Sequence, residues 1–259
     1  MTRDLPPRPA EKLCAIARQA GEAIMAIAQS PLKVDHKTDQ SPVTAADQAA
    51  NDLIVAALAQ LTPKIPIVSE EGDTNLDQPD RPFWLVDPLD GTKEFIAGNG
   101  EFTVNIALIE NRAPVLGVVY APALDRLFFS VGPDQAFQYR DGRPVRLRTR
   151  DADPTALVAL ASRSHLDDRT QAYLKEHAIA EIKQIGSSLK FCLIAAGEAD
   201  IYPRFGPTME WDTAAGHAIL AAAGGSVTTV DGGPFLYAKR SLRNPDFVAR
   251  GGRSVEPRL

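Results

Sequence analysis

A chain of 259 residues with 44% hydrophobic side chains holds enough apolar material for one large packed core or two moderate ones. Its formal charge of −5 excludes a nucleic-acid binder that works through a broad basic surface, and its apolar runs are too short to span a bilayer. The first twelve residues carry three prolines and no apolar run, which is not the make-up of a secretory signal.

Taken in chain order, Leu13, Ile16, Ala17, Ala20, Ile24 and Ile27 recur at helical spacing and predict an amphipathic helix over about residues 10 to 29. Ser41-Pro42-Val43-Thr44 reads as the entry turn of a second helix with Ile54, Ala57, Leu58 and Leu61 on its apolar face, ended by Pro63. Short apolar runs at Ile65–Val68 and Phe83–Val86 predict strands, and the texture stays strand-like at 102–109, 116–120 and 127–131, with a hairpin tip at Asn111-Arg112. Arg143, Arg146, Arg148 and Arg150 alternate with Val145 and Leu147 and read as the wet face of an exposed strand. Beyond Asp151 strands and helices alternate: 157–161, 170–177, 181–185, 189–196, 201–203 and 213–223. The expected class is α/β, an α+β half followed by an α/β half. The boundary falls at Asp151–Pro154, which makes 1–150 one unit and 151–259 the other. Cys14 and Cys192 sit in apolar helical sequence, as buried thiols of a reducing cytoplasm do, so the chain reads as cytoplasmic and at most peripheral at the inner face of a membrane.

The chemistry begins where strands run into acid. Phe83–Val86 is followed by Asp87-Pro88-Leu89-Asp90-Gly91-Thr92, and Ile65–Val68 by Ser69-Glu70-Glu71-Gly72. Pro88 cannot donate to a ladder and Gly91 permits a tight turn, so both carboxylates and the Thr92 hydroxyl can converge beyond the strand end. Taken singly, such a stretch is equally a solvated turn. Trp211-Asp212 opens a third acidic motif ahead of an apolar helix, where an Asp is ordinarily an N-cap. Clustered carboxylates repel one another and raise each other's pKa values, so such a cluster calls for cations. All the donors are oxygens, His217 lying more than a turn past Asp212, and hard oxygen donors favour magnesium or manganese over zinc.

The second half predicts an anion site. Gly186-Ser187-Ser188 precedes an apolar helical run, and free amides at that end could hold a phosphate or a ribose hydroxyl. Lys190 in the first turn is either solvated or placed for an anion. Arg204 and Ser162-Arg163-Ser164-His165 add donors at strand ends, where open α/β sheets keep their ligands. No Gly-x-Gly-x-x-Gly follows a strand, and Walker and zincin patterns are absent.

Through Ser41-Pro-Val-Thr-Ala-Ala-Asp47, Ser69–Gly72, Asp87–Thr92 and Trp211-Asp212, the sequence resembles the lithium-sensitive, magnesium-dependent phosphatases of the inositol-monophosphatase superfamily. Lys93-Glu94-Phe95, Gly186–Cys192 and Gly206–His217 look like the bacterial 3'(2'),5'-bisphosphate nucleotidases within it; inositol monophosphatases typically carry Asn, not Glu, before that Phe. The resemblance implies a layered αβαβα sandwich of the inositol-monophosphatase/fructose-bisphosphatase type. It implies hydrolysis of adenosine 3',5'-bisphosphate to AMP and phosphate by metal-activated water, in support of sulfate assimilation, with two or three Mg2+ ions as cofactor. Carried over, Glu70, Asp87 and the Leu89 carbonyl hold a first magnesium, and Asp87, Asp90 and Asp212 a second. Gly91 and Thr92 contact the phosphate, Thr92 with Asp47 orients and deprotonates the attacking water, and Ser187, Lys190, Arg204 and His165 correspond to nucleotide contacts, Asp212 lying beside the substrate as well. The implied catalytic set is thus Asp47, Thr92 and Glu70, and the implied partner is a small nucleotide. Met209-Glu210 departs from the expected pattern by its extra acid. An inositol or sugar phosphate phosphatase is the alternative among enzymes. A non-catalytic, metal-dependent nucleotide sensor is the alternative from another class, and the Thr92–Asp47 pair speaks against it.

Overall fold

A computed structural model describes residues 5, 8–29, 34–36, 42–72, 74–75, 80–177 and 179–252. Ser41, the first residue of the predicted entry turn, lies outside them. The elements are α1 (Pro9–Ala28), β1 (Val34–His36), β2 (Pro42–Thr44), α2 (Ala45–Leu61), β3 (Ile67–Ser69), β4 (Phe83–Asp90), α3 (Thr92–Ala97), β5 (Thr103–Glu110), β6 (Ala113–Ala121) and β7 (Arg126–Ser130). They continue with β8 (Ala136–Arg140), β9 (Arg143–Arg146), β10 (Leu157–Ser162), α4 (Asp168–Glu176), β11 (Ile179–Ile185), α5 (Leu189–Ala195), β12 (Ile201–Arg204), α6 (Ala214–Ala222), β13 (Ser226–Thr229) and β14 (Phe247–Arg250).

In the first sheet, ordered β3-β4-β5-β6-β7-β8-β9 and antiparallel except for β3 beside β4, alternate residues of a central strand face opposite cores. Trp84 and Val86 face the core under α1 and α2, whereas Phe83 and Leu85 face the opposite core under α5 and α6. Covered on both faces, β4 is apolar at every position from Phe83 to Val86, which is why it reads as a run rather than an alternation. The second sheet, β11-β10-β12-β14-β13, is mixed, with β10 parallel to β11 and β12, and β14 antiparallel to β12 and β13. Helices α5 and α6 lie between the sheets, and α4 covers the far side through Leu174 among Leu157, Ala159, Ile201 and Val248. The layers run α, β, α, β, α. Close approach of α6 to β6 depends on Gly117, where a Cβ would lie 2.4 Å from the Ala215 carbonyl oxygen.

Some expectations need correction. The exposed strand ends at Arg146, all of whose residues from Arg143 are exposed, but Leu147 turns inward. Arg150 is exposed as expected but lies beyond the strand and is not merely solvated: its Nε and Nη2 donate at 2.7 and 2.6 Å to the buried Asp200 carboxylate. Both cysteines are buried and unpaired, and burial pushes the Cys14 thiol up to about 12. Among the described residues no helix is long and apolar enough to cross a membrane.

Candidate functional site

The acids converge because three chain segments end at one place. Strand β3 delivers Glu70, whose amide donates to the Val86 carbonyl (3.1 Å) and fixes it beside β4. The structure corrects the expected loop at Asp87: the strand continues through Asp90, Asp87 facing Asn105 and Asp90 facing Thr103, with Pro88 and Leu89 bulged out between them. The bulge answers the proline, which has no N–H for the ladder. The Leu89 amide folds back to Asp87 Oδ1 (3.1 Å), and Gly91, at φ 90°, turns the chain into α3 so that Thr92 comes round at once.

Thr44 caps α2, and Asp47 completes the capping box by accepting from the Thr44 amide and hydroxyl, both at 2.7 Å, through Oδ2. Its Oδ1 accepts from the Thr92 hydroxyl at 3.2 Å, so a helix cap also presents a carboxylate to the acidic turn. Asp212 is not the N-cap of α6. Thr213 holds that position, and the Asp212 carboxylate closes the preceding turn by accepting from the Met209 amide at 2.8 Å.

A cavity of about 540 Å³ opens here. Glu70, Asp87, Asp90 and Asp212 line it together with Leu89, Gly91 and Thr92, and His165, Ser187, Lys190 and Arg204 line it with them. Of the residues that the resemblance carries over as metal, catalytic or nucleotide contacts, only Asp47 is not in the lining, and it is joined to it through Thr92; Arg163, Ser164 and Ser188 from the predicted anion site do not line it. Burial first, then Glu70, Asp90, Asp212 and Asp47, hold the Asp87 carboxyl far above the ordinary carboxylate range. Burial followed by Asp90 and Glu70 does the same to Asp212. Asp90 is pushed by burial to about 6, against the pull of Lys190, Asn105 and the Ser188 amide. As the side chains stand, among the described residues no group of three His, Cys, Asp or Glu already meets at metal-binding distance. What the site has is clustered like charge around the buried Asp87, all-oxygen donors, and Asp87, Asp90 and Asp212 each anchored through one oxygen, a donor set that fits a hard divalent cation.

The opposite wall is tied to the acids directly. The Ser188 amide donates to Asp90 Oδ2 at 2.6 Å, and its hydroxyl donates to Asn105 Oδ1 at 2.7 Å, so Ser188 is consumed in holding the start of α5 to the first sheet and does not line the cavity. Ser187, at φ 49°, remains on the cavity wall. Lys190 is not solvated: it is 3% exposed, donates to the Ile185 and Ser187 carbonyls at 3.0 and 2.5 Å, and is brought by burial down to about 8. Arg204 donates to the His165 and Pro207 carbonyls at 3.1 and 3.0 Å. His217 lies outside the cavity lining, bonded through Nδ1 to the Tyr237 hydroxyl (3.1 Å), with burial lowering it to about 4.

Lys93 and Glu94, which sequence reasoning used only as a family motif, and Tyr202, which it passed over, also line the cavity. Tyr202 stands two residues from Arg204 on β12, so the strand period could have found it. Glu94 accepts from the Ser164 hydroxyl at 2.6 Å and joins α3 to the loop after β10. The extra acid at Glu210 proves to be scaffolding. Fully buried, it accepts from the Ala238 and Lys239 amides (2.8 and 2.9 Å) and pairs with Lys239 Nζ at 2.6 Å, pinning the turn that carries Asp212. Glu210→Ala leaves these donors unmatched and is expected to cost about 3 kcal/mol, read as a lower denaturant midpoint in chemical unfolding.

An αβαβα sandwich with a cavity that sets four carboxylates against cationic side chains is an α/β protein built to bind a small charged ligand where its two sheets meet. The profile of the inositol monophosphatase family matches residues 8–252, and the chain belongs to that family. It is 49% identical over 242 residues to the 3'(2'),5'-bisphosphate nucleotidase CysQ of Escherichia coli (strain K12), covering 92% of this chain and 97% of that one. The Salmonella typhimurium (strain LT2) protein of the same name is 50% identical over the same shares. Among solved structures, CysQ from Bacteroides thetaiotaomicron superposes with a TM-score of 0.81 at 42% identity, over 95% of this chain and 99% of that one.

Proposed function

We propose that this chain is a 3'(2'),5'-bisphosphate nucleotidase, a phosphoric monoester hydrolase that releases phosphate from adenosine 3',5'-bisphosphate and leaves AMP. The observation that carries the reading is the two-sided cavity: buried mutually repelling acids on one wall, Lys190 and Arg204 on the other. Identity near half over almost the whole chain to bisphosphate nucleotidases of the same family supports the choice of substrate.

Glu70, Asp87 and the Leu89 carbonyl would hold one Mg2+, and Asp87, Asp90 and Asp212 another, Asp87 serving both. Bound in this way, the cations supply Lewis-acid polarisation of a phosphoryl oxygen and bring the pKa of a water toward neutrality. The protein's own share is orientation and proton handling. Thr92 Oγ donates its only proton to Asp47 Oδ1, so its lone pairs face outward as an acceptor that orients the attacking water. The proton leaving that water passes along the Thr92 hydroxyl to Asp47, whose other oxygen is held by two Thr44 donors. Gly91, at φ 90°, turns the chain at the head of α3, where the phosphate would lie. Ser187, Lys190, Arg204 and His165 orient the nucleotide.

A substrate panel tests the reading. With saturating Mg2+, kcat/KM for adenosine 3',5'-bisphosphate is expected to exceed that for inositol 1-phosphate by at least about a hundredfold, the discrimination available when buried polar groups go unpaired with the wrong ligand. Preference for the inositol ester would retain the phosphatase and discard the nucleotidase. Tight nucleotide binding with no phosphate release would make the chain a sensor.

A further inference from the structure

We propose that Lys93 recognises the second phosphate of the substrate, the one that is not hydrolysed, and thereby sets the preference for bisphosphates over monophosphates. The inference rests on the nucleotidase reading above and adds to it a residue that determines specificity.

Of the cationic side chains on the cavity wall, two are already engaged. Lys190 Nζ is bonded to two backbone carbonyls and lies 5.1 Å from the Tyr202 ring centre. Both terminal nitrogens of Arg204 donate to carbonyls that shape the loops around it. His165 is held below its ordinary pKa by burial, then by Lys93 and Arg204, which places the Lys93 charge beside it and keeps the imidazole neutral near pH 7. Lys93 is different: it lines the same cavity, is exposed, and among the described residues makes no hydrogen bond, ion pair or ring contact.

Its place in the chain supplies the rest. Lys93 directly follows Thr92 at the start of α3 and lines the same cavity as Gly91 and Thr92, so it stands within one bound substrate's span of the place where the ester phosphate would be held. A phosphate there meets a compact, flexible ammonium with three donors to spend and no partner to abandon. A substrate lacking that phosphate gains nothing from Lys93. Elsewhere on the cavity wall only part of the donor capacity is free: the third proton of Lys190 and the unpartnered Nε of Arg204, both buried, whereas Lys93 offers its whole ammonium.

The experiment compares adenosine 3',5'-bisphosphate with adenosine 3'-monophosphate, which presents the same scissile ester without the second phosphate. The readout is the ratio of their kcat/KM values. Lys93→Gln is expected to lower this ratio at least tenfold, mainly through KM for the bisphosphate, and Lys93→Arg to restore most of it. An exposed side chain makes the variants' melting temperatures comparable with wild type, which is measured alongside. A ratio unchanged within twofold in Lys93→Gln, with wild-type phosphate release intact, overturns the assignment and leaves the nucleotidase standing. A wild-type chain that releases phosphate from neither nucleotide overturns the nucleotidase reading and the assignment with it.

Discussion

Asp90→Asn is expected to lower phosphate release by about a thousandfold or more at saturating Mg2+, the rate equivalent of roughly 4 kcal/mol of lost transition-state stabilisation. The geometry makes the variant close to isosteric in fold and opposite in chemistry. Asp90 Oδ2 accepts from the Ser188 amide at 2.6 Å and from Asn105 Nδ2 at 3.3 Å. The carbonyl of an asparagine keeps both bonds by taking that oxygen's place. Its NH2 group then occupies the position of Oδ1, and a donor faces the cation where an acceptor had been. The folded chain also loses one buried charge from a repelling cluster, so metal-free Asp90→Asn is expected to melt at or above the wild-type temperature. Full wild-type turnover by this variant would show that Asp90 holds no metal. A collapsed melting temperature would show instead that the carboxylate is structural.

The acidic half of this site is legible in the sequence because its logic is local. An apolar run that ends in Asp-Pro-Leu-Asp-Gly-Thr carries carboxylates that a sheet can bury only if something balances their charge, and Glu70 repeats the pattern one strand earlier. The spacing of Asp87 and Asp90 was equally visible, although the bulge that keeps both in the strand depends on pairing with Asn105 and Thr103. The cationic half is less local. Lys190 looks like a first-turn lysine in need of an anion, yet it is satisfied by carbonyls of a loop that bends at left-handed Ser187. Ser188 reads as a ligand donor, and only its bond to Asp90 across 98 positions shows that it clamps the start of α5 to the first sheet. Of the elements, α3 has six residues, too few to display a helical period, and β13 and β14 are four-residue strands defined by their ladder rather than by composition. Glu210 looked like surplus acid because its partners, Ala238 and Lys239, lie almost thirty residues downstream.

The same buried charge makes the stability of the protein depend on pH and metal in opposite senses. Asp90 rises from 3.8 to about 6 on folding, and Asp87 and Asp212 shift in the same direction. The folded chain therefore binds these protons more tightly than the unfolded one, so each group favours the folded state most when protonated. As pH rises from about 4 through about 6 that advantage is lost, and at neutral pH the Asp90 charge alone costs about 3 kcal/mol in the metal-free protein. Cations that bind only the folded chain reverse the sign, adding about 2.7 kcal/mol when present at a hundred times their dissociation constant. Chemical unfolding of wild type and Asp90→Asn reads both effects. Without metal, the variant is expected to gain on wild type by about 3 kcal/mol between pH 4 and pH 7, with the gap level above that. With Mg2+ at a hundred times its dissociation constant at pH 7.5, wild type is expected to recover nearly all of that gap, because only wild type keeps the full set of oxygen donors. A gap that ignores pH would mean that Asp90 is not strained by its surroundings, and a gap that ignores Mg2+ would mean that these four acids are gathered for something other than a metal.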